Sequence, residues 1–182
     1  MIDRLLEIIN APVNSPKMIW VLVPLIFTIL LTEFYFSRYK YEEKGWEYFF
    51  GNSMILLFVS MDLLGYIYTN GLLKADIPAL AFSAAIGVLG ILLLILNFFH
   101  ILPEQIAYGI SSNMPINFLA YMAVVIVYSD IAIDYDTILA SIAFLIMWSV
   151  VIGGIHKITP SAWSPKLSKY EVPEPEKKSK RP

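Results

Sequence analysis

The sequence predicts an all-α integral membrane protein in which five transmembrane helices form a small bundle. Of its 182 residues, 58% are hydrophobic and only 15% are charged, whereas a soluble domain carries about 25% charged residues. The mean hydropathy is +0.66. The charges are also unevenly placed, since no Asp, Glu, Lys or Arg occurs in the 27 residues from Ile77 to Pro103.

Residues 1–16 are predicted to form a short helix that lies in the membrane interface. The first ten residues place apolar side chains on one helical face and polar ones opposite, as an interfacial helix does. The apolar face carries Ile2, Leu5, Leu6 and Ile9, and the polar face Asp3, Glu7 and Asn10.

Five apolar stretches follow, each near the 20 residues that a helix needs to cross a hydrocarbon core of roughly 30 Å. Their length and continuity favour helices over barrel strands, which are short and alternating. The predicted spans are about 18–36, 48–69, 77–99, 116–133 and 137–155, within a membrane domain of residues 17–157. Pro78, Pro115 and Thr137 stand where helices are expected to start. The Pro-rich, basic tail 158–182 is predicted to be disordered.

Orientation follows from the distribution of Lys and Arg, which are enriched on the cytoplasmic side of membrane proteins. Five spans put ten basic residues on the side of the C-terminus and three, Arg4, Lys17 and Lys74, on the side of the N-terminus. We therefore expect a multi-pass protein of the cell membrane with its N-terminus outside and its C-terminus in the cytoplasm.

Composition excludes several classes of function. A formal net charge of −2 gives no basic surface for nucleic acid. The absence of cysteine rules out disulfides and thiolate chemistry. Known catalytic motifs are also missing, so we expect no enzyme activity and no cofactor.

Asp62 is the most informative polar residue, because it lies near the middle of the second predicted span. An ionised carboxylate there costs about 2.5–3.5 kcal/mol or more. Three interpretations remain: a protonated, hydrogen-bonded acid, a cation or proton site in a wet cavity, or a partner for a basic residue of another chain. Asp62 shares a helical face with Asn52, Val59, Tyr66 and Thr69.

Glu33 is the second acid inside a predicted span. It lies at a depth similar to that of Asn52, so a hydrogen bond between the two is one expectation. The alternative is that Glu33 extends to the interface. Asp62, Glu33, Asn52 and Tyr66 together form the predicted intramembrane polar, ion or partner-pairing site.

The third span carries a stripe of small and polar residues at spacings of 4, 3 and 7. The stripe consists of Ser83, Gly87, Gly90 and Asn97. Small residues at this period let helix backbones approach closely. The stripe predicts a helix-packing seam, whose partner could be a helix of this chain or of another.

The two histidines, His100 and His156, fall at span ends on the same side. Two such residues could ligate a haem iron or, with Glu33 or Glu104, a metal. Isolated histidines at span ends are more often interfacial, so we expect no metal site.

Two functional hypotheses follow. The first is a non-catalytic membrane subunit or scaffold that packs helices against other subunits or against itself within the lipid bilayer. The alternative is a small ion, proton or solute permeation unit with Asp62 as its intramembrane site.

Overall fold

The chain is folded into α-helices in a computed structural model that describes residues 1–39 and 44–160. The helices are α1 (Ile2–Asn14), α2 (Ile19–Arg38), α3 (Trp46–Thr69), α4 (Ile77–Phe98), α5 (Glu104–Ser111), α6 (Asn113–Tyr128) and α7 (Tyr135–Ile158). A single 3-10 turn, Pro16–Met18, joins α1 to α2. Since the described residues contain no strand, the predicted all-α class is confirmed.

Five helical segments are long and apolar enough to cross a membrane. They are Pro16–Arg38, Trp46–Thr69, Ile77–Phe98, Glu104–Tyr128 and Tyr135–Ile158. The predicted number of long apolar helices is therefore confirmed. The predicted disordered tail lies outside the described residues from residue 161 onward.

The fourth segment differs most from its predicted bounds of 116–133. It begins earlier, with α5, and extended backbone at Ser112 interrupts it before α6. It also ends earlier, at Tyr128, because Asp130 turns the chain with a φ of +53°. The side chain of Asp134 then caps α7 by accepting a hydrogen bond of 2.8 Å from the backbone N–H of Thr137.

Helix α6 lies at the centre of the bundle. It packs against α2, α3 and α4, and ring contacts from Tyr121 and Phe118 join it to Phe144 on α7. Most of its side chains are buried, including Ile116, Ala120 and Val124. An apolar helix covered on all sides is expected to have no polar face, which explains the even distribution of Ala, Val, Ile and Met in α6.

Successive long helices run in opposite directions, so the bundle has two ends. We name each end after a residue that lies there. The Lys17 end holds the starts of α2, α4 and α7 and the ends of α3 and α6. The His156 end holds the ends of α2, α4 and α7 and the start of α3.

Helix α1 lies at the Lys17 end against α7 and α6. Ile8 and Ala11 are buried there, and the hydroxyl of Tyr121 donates to the Ile8 carbonyl at 3.2 Å. The N-terminal ammonium group pairs with Asp136 at 3.0 Å, and Arg4 pairs with Asp134 at 3.2 Å. The opposite face of α1 exposes apolar side chains, namely Ile2, Leu6, Ile9 and Val13.

Candidate functional site

The small-residue seam of α4 packs against α3 of the same chain. All four predicted members, Ser83, Gly87, Gly90 and Asn97, are buried. Close approach explains both glycines: a Cβ on Gly87 would lie 2.5 Å from the Ser60 hydroxyl oxygen, and one on Gly90 would lie 3.1 Å from the Leu57 backbone nitrogen. The Ser60 hydroxyl also donates to the Ser83 carbonyl at 2.8 Å. The seam is therefore an internal helix interface.

Helices α2 and α3 follow each other in sequence, yet each packs more extensively on α6 than on the other. The surface between them is a shallow, open groove of three successive cavities, which we call the α2/α3 groove. Their volumes, from the Lys17 end to the His156 end, are about 660, 290 and 560 Å³. In the cavity at the Lys17 end, Lys17 and Tyr128 of α6 stand beside α3 in place of α2. Phe36 and Tyr48 meet at 5.3 Å between ring centres and join the two helices at the His156 end.

One face of α3 lines the groove along its length. This face repeats at spacings of 4, 3, 4, 3 and 4 and consists of Gly51, Ile55, Phe58, Asp62, Gly65 and Thr69. A Cβ on Gly51 or on Gly65 would meet no atom within 4 Å. These two glycines therefore widen the groove without being required by any contact within the described chain.

Asp62 lies in the wall of this groove and is partly buried. It lines both the 660 Å³ cavity and the central one. One carboxylate oxygen accepts a hydrogen bond of 2.8 Å from the hydroxyl of Tyr128 on α6. The Tyr128 ring stacks on Tyr66 with 4.0 Å between ring centres. The structure thus brings Asp62 and Tyr66 of the predicted polar site together around Tyr128.

Lys17 lines the same 660 Å³ cavity as Asp62. The described residues nevertheless contain no salt bridge to Asp62 within 4.0 Å. The carboxylate is therefore held by one phenolic hydroxyl and faces the open groove.

Glu33 occupies a different place, near the His156 end and inside the bundle. It is 5% exposed. Its carboxylate accepts a hydrogen bond of 2.8 Å from the side-chain amide of Asn113 and lies 2.8 Å from Nε2 of His156. Asn117 donates in turn to the side-chain oxygen of Asn113 at 2.6 Å. Glu33 thus links α2, α6 and α7, and the expectation that it extends to the interface does not hold.

Asn52 belongs to a neighbouring polar cluster rather than to Glu33. Its amide donates to the Ser111 carbonyl at 3.0 Å. The amide of Asn97 donates at 2.9 Å to the hydroxyls of both Ser53 and Ser111. These bonds tie α3, α4 and α5 together, so the expected Glu33–Asn52 hydrogen bond is replaced by two separate sets of partners.

The two histidines have unrelated surroundings. His100 stacks on Trp46 with 4.3 Å between ring centres, whereas His156 pairs with Glu33. Within residues 1–39 and 44–160, no group of three or more His, Cys, Asp or Glu side chains is placed to hold a metal ion.

An aromatic group at the His156 end surrounds Lys44. Its ammonium lies 4.8, 5.2 and 5.5 Å from the ring centres of Phe36, Tyr48 and Tyr108. Cation–π contacts of this kind contribute about 0.5–1 kcal/mol each at exposed sites. Because the three rings belong to α2, α3 and α5, Lys44 helps to fix the start of α3.

Sequence reasoning missed the residues of α6 that complete the Asp62 and Glu33 sites. Tyr128 is the partner of Asp62, and Asn113 is the partner of Glu33. One signal was available: Asn113 and Asn117 are four residues apart at the start of an apolar stretch, which places both on one helical face.

Comparisons with models of known protein families, with curated proteins and with solved structures gave no match. Functional conclusions therefore depend on the sequence and on this geometry.

Proposed function

We propose that the chain is a multi-pass protein of the cell membrane, with its Lys17 end outside and its His156 end in the cytoplasm. The five long apolar helices support this location, and the excess of basic residues in the sequence segments that follow α2 and α7 supports this orientation. The exposed apolar stripe of α1 supports an interfacial position for that helix.

Within the membrane, the chain acts as a non-catalytic subunit that receives one transmembrane helix of another protein in its α2/α3 groove. The observation that carries this function is the separation of α2 from α3, which leaves a groove along the length of both helices. Membrane helices associate through small residues that permit close backbone approach. Gly51 and Gly65 offer such surfaces on the groove wall.

The seam of α4 cannot serve the same purpose, because it is already covered by α3. The remaining outer faces of α4 and α7 carry large exposed apolar side chains. On α4 these include Val88, Ile91, Leu92 and Phe98, and on α7 Ile138, Ile142, Ile146 and Val150. Faces of this composition suit lipid acyl chains, whereas the groove also holds a carboxylate and two glycines.

The decisive experiment fills the groove. Gly65→Leu and Gly51→Leu each add a large side chain to the groove wall, starting from a Cβ position that has no described atom within 4 Å. We expect each to release the partner subunit, measured as a loss of mass of the complex purified in mild detergent. Gly153→Leu is the matched control, because Gly153 is an exposed glycine in α7 with equally open surroundings. A complex that keeps its mass in both groove variants would refute docking at this surface.

A further inference from the structure

We propose that the transmembrane helix docked in the α2/α3 groove carries a Lys or Arg side chain that pairs with Asp62. This inference rests on the proposed function of the groove and specifies the chemistry of its occupant.

Asp62 lies within the membrane-spanning part of α3. It lies seven residues before the end of α3, which is roughly 10 Å along the helix at 1.5 Å per residue. Five spans through a bilayer put this carboxylate below the surface, where an uncompensated charge is costly. Within the described residues, its side chain accepts a hydrogen bond from Tyr128. A neutral phenol solvates a carboxylate but does not neutralise it.

Asp62 faces the α2/α3 groove. It lines two consecutive cavities of the groove, on the same face of α3 as Gly65. A helix backbone can approach most closely beside a glycine, so the occupant comes near α3 next to the carboxylate. A charged side chain on the occupant at this depth would meet Asp62 with little competition from water.

Lys17 does not supply an ionic partner for Asp62. It lines the same cavity as Asp62, yet the two form no salt bridge within 4.0 Å. The cavity therefore retains a carboxylate that a second, deeper cation can reach. Because Lys17 is basic, we expect the end of the docked helix that lies beside Lys17 to carry an acidic or neutral group.

The spans of a second copy of this chain do not supply that cation. No Lys or Arg occurs in residues 18–37, 45–73 or 75–156. The spans of another copy would therefore bring no basic side chain to Asp62, and α3 of that copy would bring a second carboxylate, its own Asp62. The occupant is consequently a helix of a different protein.

The test uses site-specific photo-cross-linking in cells that produce the full chain. A benzophenone amino acid replaces Met61, which is 68% exposed and lines the cavity beside Asp62. The same amino acid at Val150, 70% exposed on α7, reports non-specific neighbours. Mass spectrometry then identifies the peptide attached at each position. We expect the peptide from position 61 to belong to an apolar stretch of about 20 residues. We also expect it to carry a Lys or Arg within about one turn of the attachment site.

Substitutions of Asp62 then test the charge. Asp62→Asn should reduce the yield of this cross-link about tenfold, as loss of a hydrogen bond to a charged group implies. Asp62→Glu should retain it. An unchanged thermal midpoint of the purified Asp62→Asn protein shows that its fold is intact. A cross-link retained in Asp62→Glu shows that the negative charge is what the partner helix requires.

Three outcomes would overturn the inference: a cross-linked helix without a nearby base, a peptide of this same chain, or an undiminished cross-link in Asp62→Asn. If Gly65→Leu abolishes the cross-link while Asp62→Asn keeps it, helix docking stands and the charge pairing fails. If Gly65→Leu also leaves it unchanged, the proposed function itself fails.

Discussion

Glu33 and His156 approach to 2.8 Å and connect α2 to α7 near the His156 end. The carboxylate is almost fully buried, whereas the imidazole side chain is 46% exposed. The buried side of Glu33 is occupied by Asn113, so one carboxylate holds three helices together. This contact and the Asp62–Tyr128 contact lie at opposite ends of the bundle.

We expect Glu33→Ala to lower the free energy of unfolding by about 1–3 kcal/mol, because the buried amide of Asn113 loses its acceptor. Chemical unfolding in detergent measures this loss. Glu33→Gln is the control, since its amide oxygen can still accept from Asn113, and it should lose less than half as much. A Glu33→Ala protein as stable as wild type would show that the contact does not stabilise the fold.

Gly87→Ala should destabilise the bundle, because the new Cβ would lie 2.5 Å from the Ser60 hydroxyl oxygen and displace it from the Ser83 carbonyl. Loss of this hydrogen bond costs about 0.5–1.5 kcal/mol. Gly153→Ala has no such neighbour and should stabilise α7 by about 0.5–1 kcal/mol. Thermal unfolding in detergent compares the two.

A second variant identifies the cause. Ser60→Ala removes the clashing oxygen, so Gly87→Ala should cost less in a Ser60→Ala background than in wild type. Equal costs in both backgrounds would exclude the hydroxyl as the obstacle.

Asp134 should make the stability of the Lys17 end depend on pH. Hydrogen bonds from the backbone and side chain of Thr137, followed by Arg4, hold the pKa of this carboxyl below its ordinary value. A lowered pKa means that the ionised form favours the folded state. This contribution is complete above the ordinary pKa, near 4, and is lost as the pH falls through the lowered value.

Thermal midpoints of wild type and Asp134→Asn between pH 7 and pH 2.5 measure this effect. The two proteins should differ most at neutral pH and converge in acid. A difference that grows as the pH falls would contradict the assignment.

Because the centre of the bundle is packed, we expect no protons or small cations to cross the membrane through this protein. Fully buried apolar side chains separate Asp62 from Glu33, including Ile29, Leu56, Leu63 and Val124. We expect liposomes with the purified protein to release protons or small cations no faster than empty ones. Flux that is present in wild type and lost in Asp62→Asn would favour the permeation hypothesis instead.

Much of the fold could be predicted because a bilayer-spanning helix needs an uninterrupted apolar stretch, and this requirement is local. The stretch 77–99 of the sequence corresponds to α4, and the spacing of Gly87 and Gly90 correctly indicates a packing seam. The end of α6 was harder to predict, because residues 131–133 are as apolar as the helix before them. The turn at Asp130 depends on backbone geometry that composition does not reveal.

The partners of the polar residues could not be predicted, because they depend on how the helices are arranged around one another. Glu33 and Asn52 share a depth, but α2 and α3 stand apart, so depth alone does not bring them into contact. His156 is 123 residues from Glu33 in sequence and reaches it because α7 packs beside α2.

Membrane crossing by the bundle is the claim on which all the proposals depend, and labelling of single cysteines on either side of α4 tests it directly. The chain contains no cysteine, so Leu73→Cys and Ile101→Cys each introduce one thiol, at exposed positions on opposite ends of the bundle. A membrane-impermeant maleimide applied to intact cells should label Cys at position 73 and should label position 101 only after permeabilisation. Labelling of both positions in intact cells, or of neither, would contradict a bundle that crosses the membrane with its Lys17 end outside.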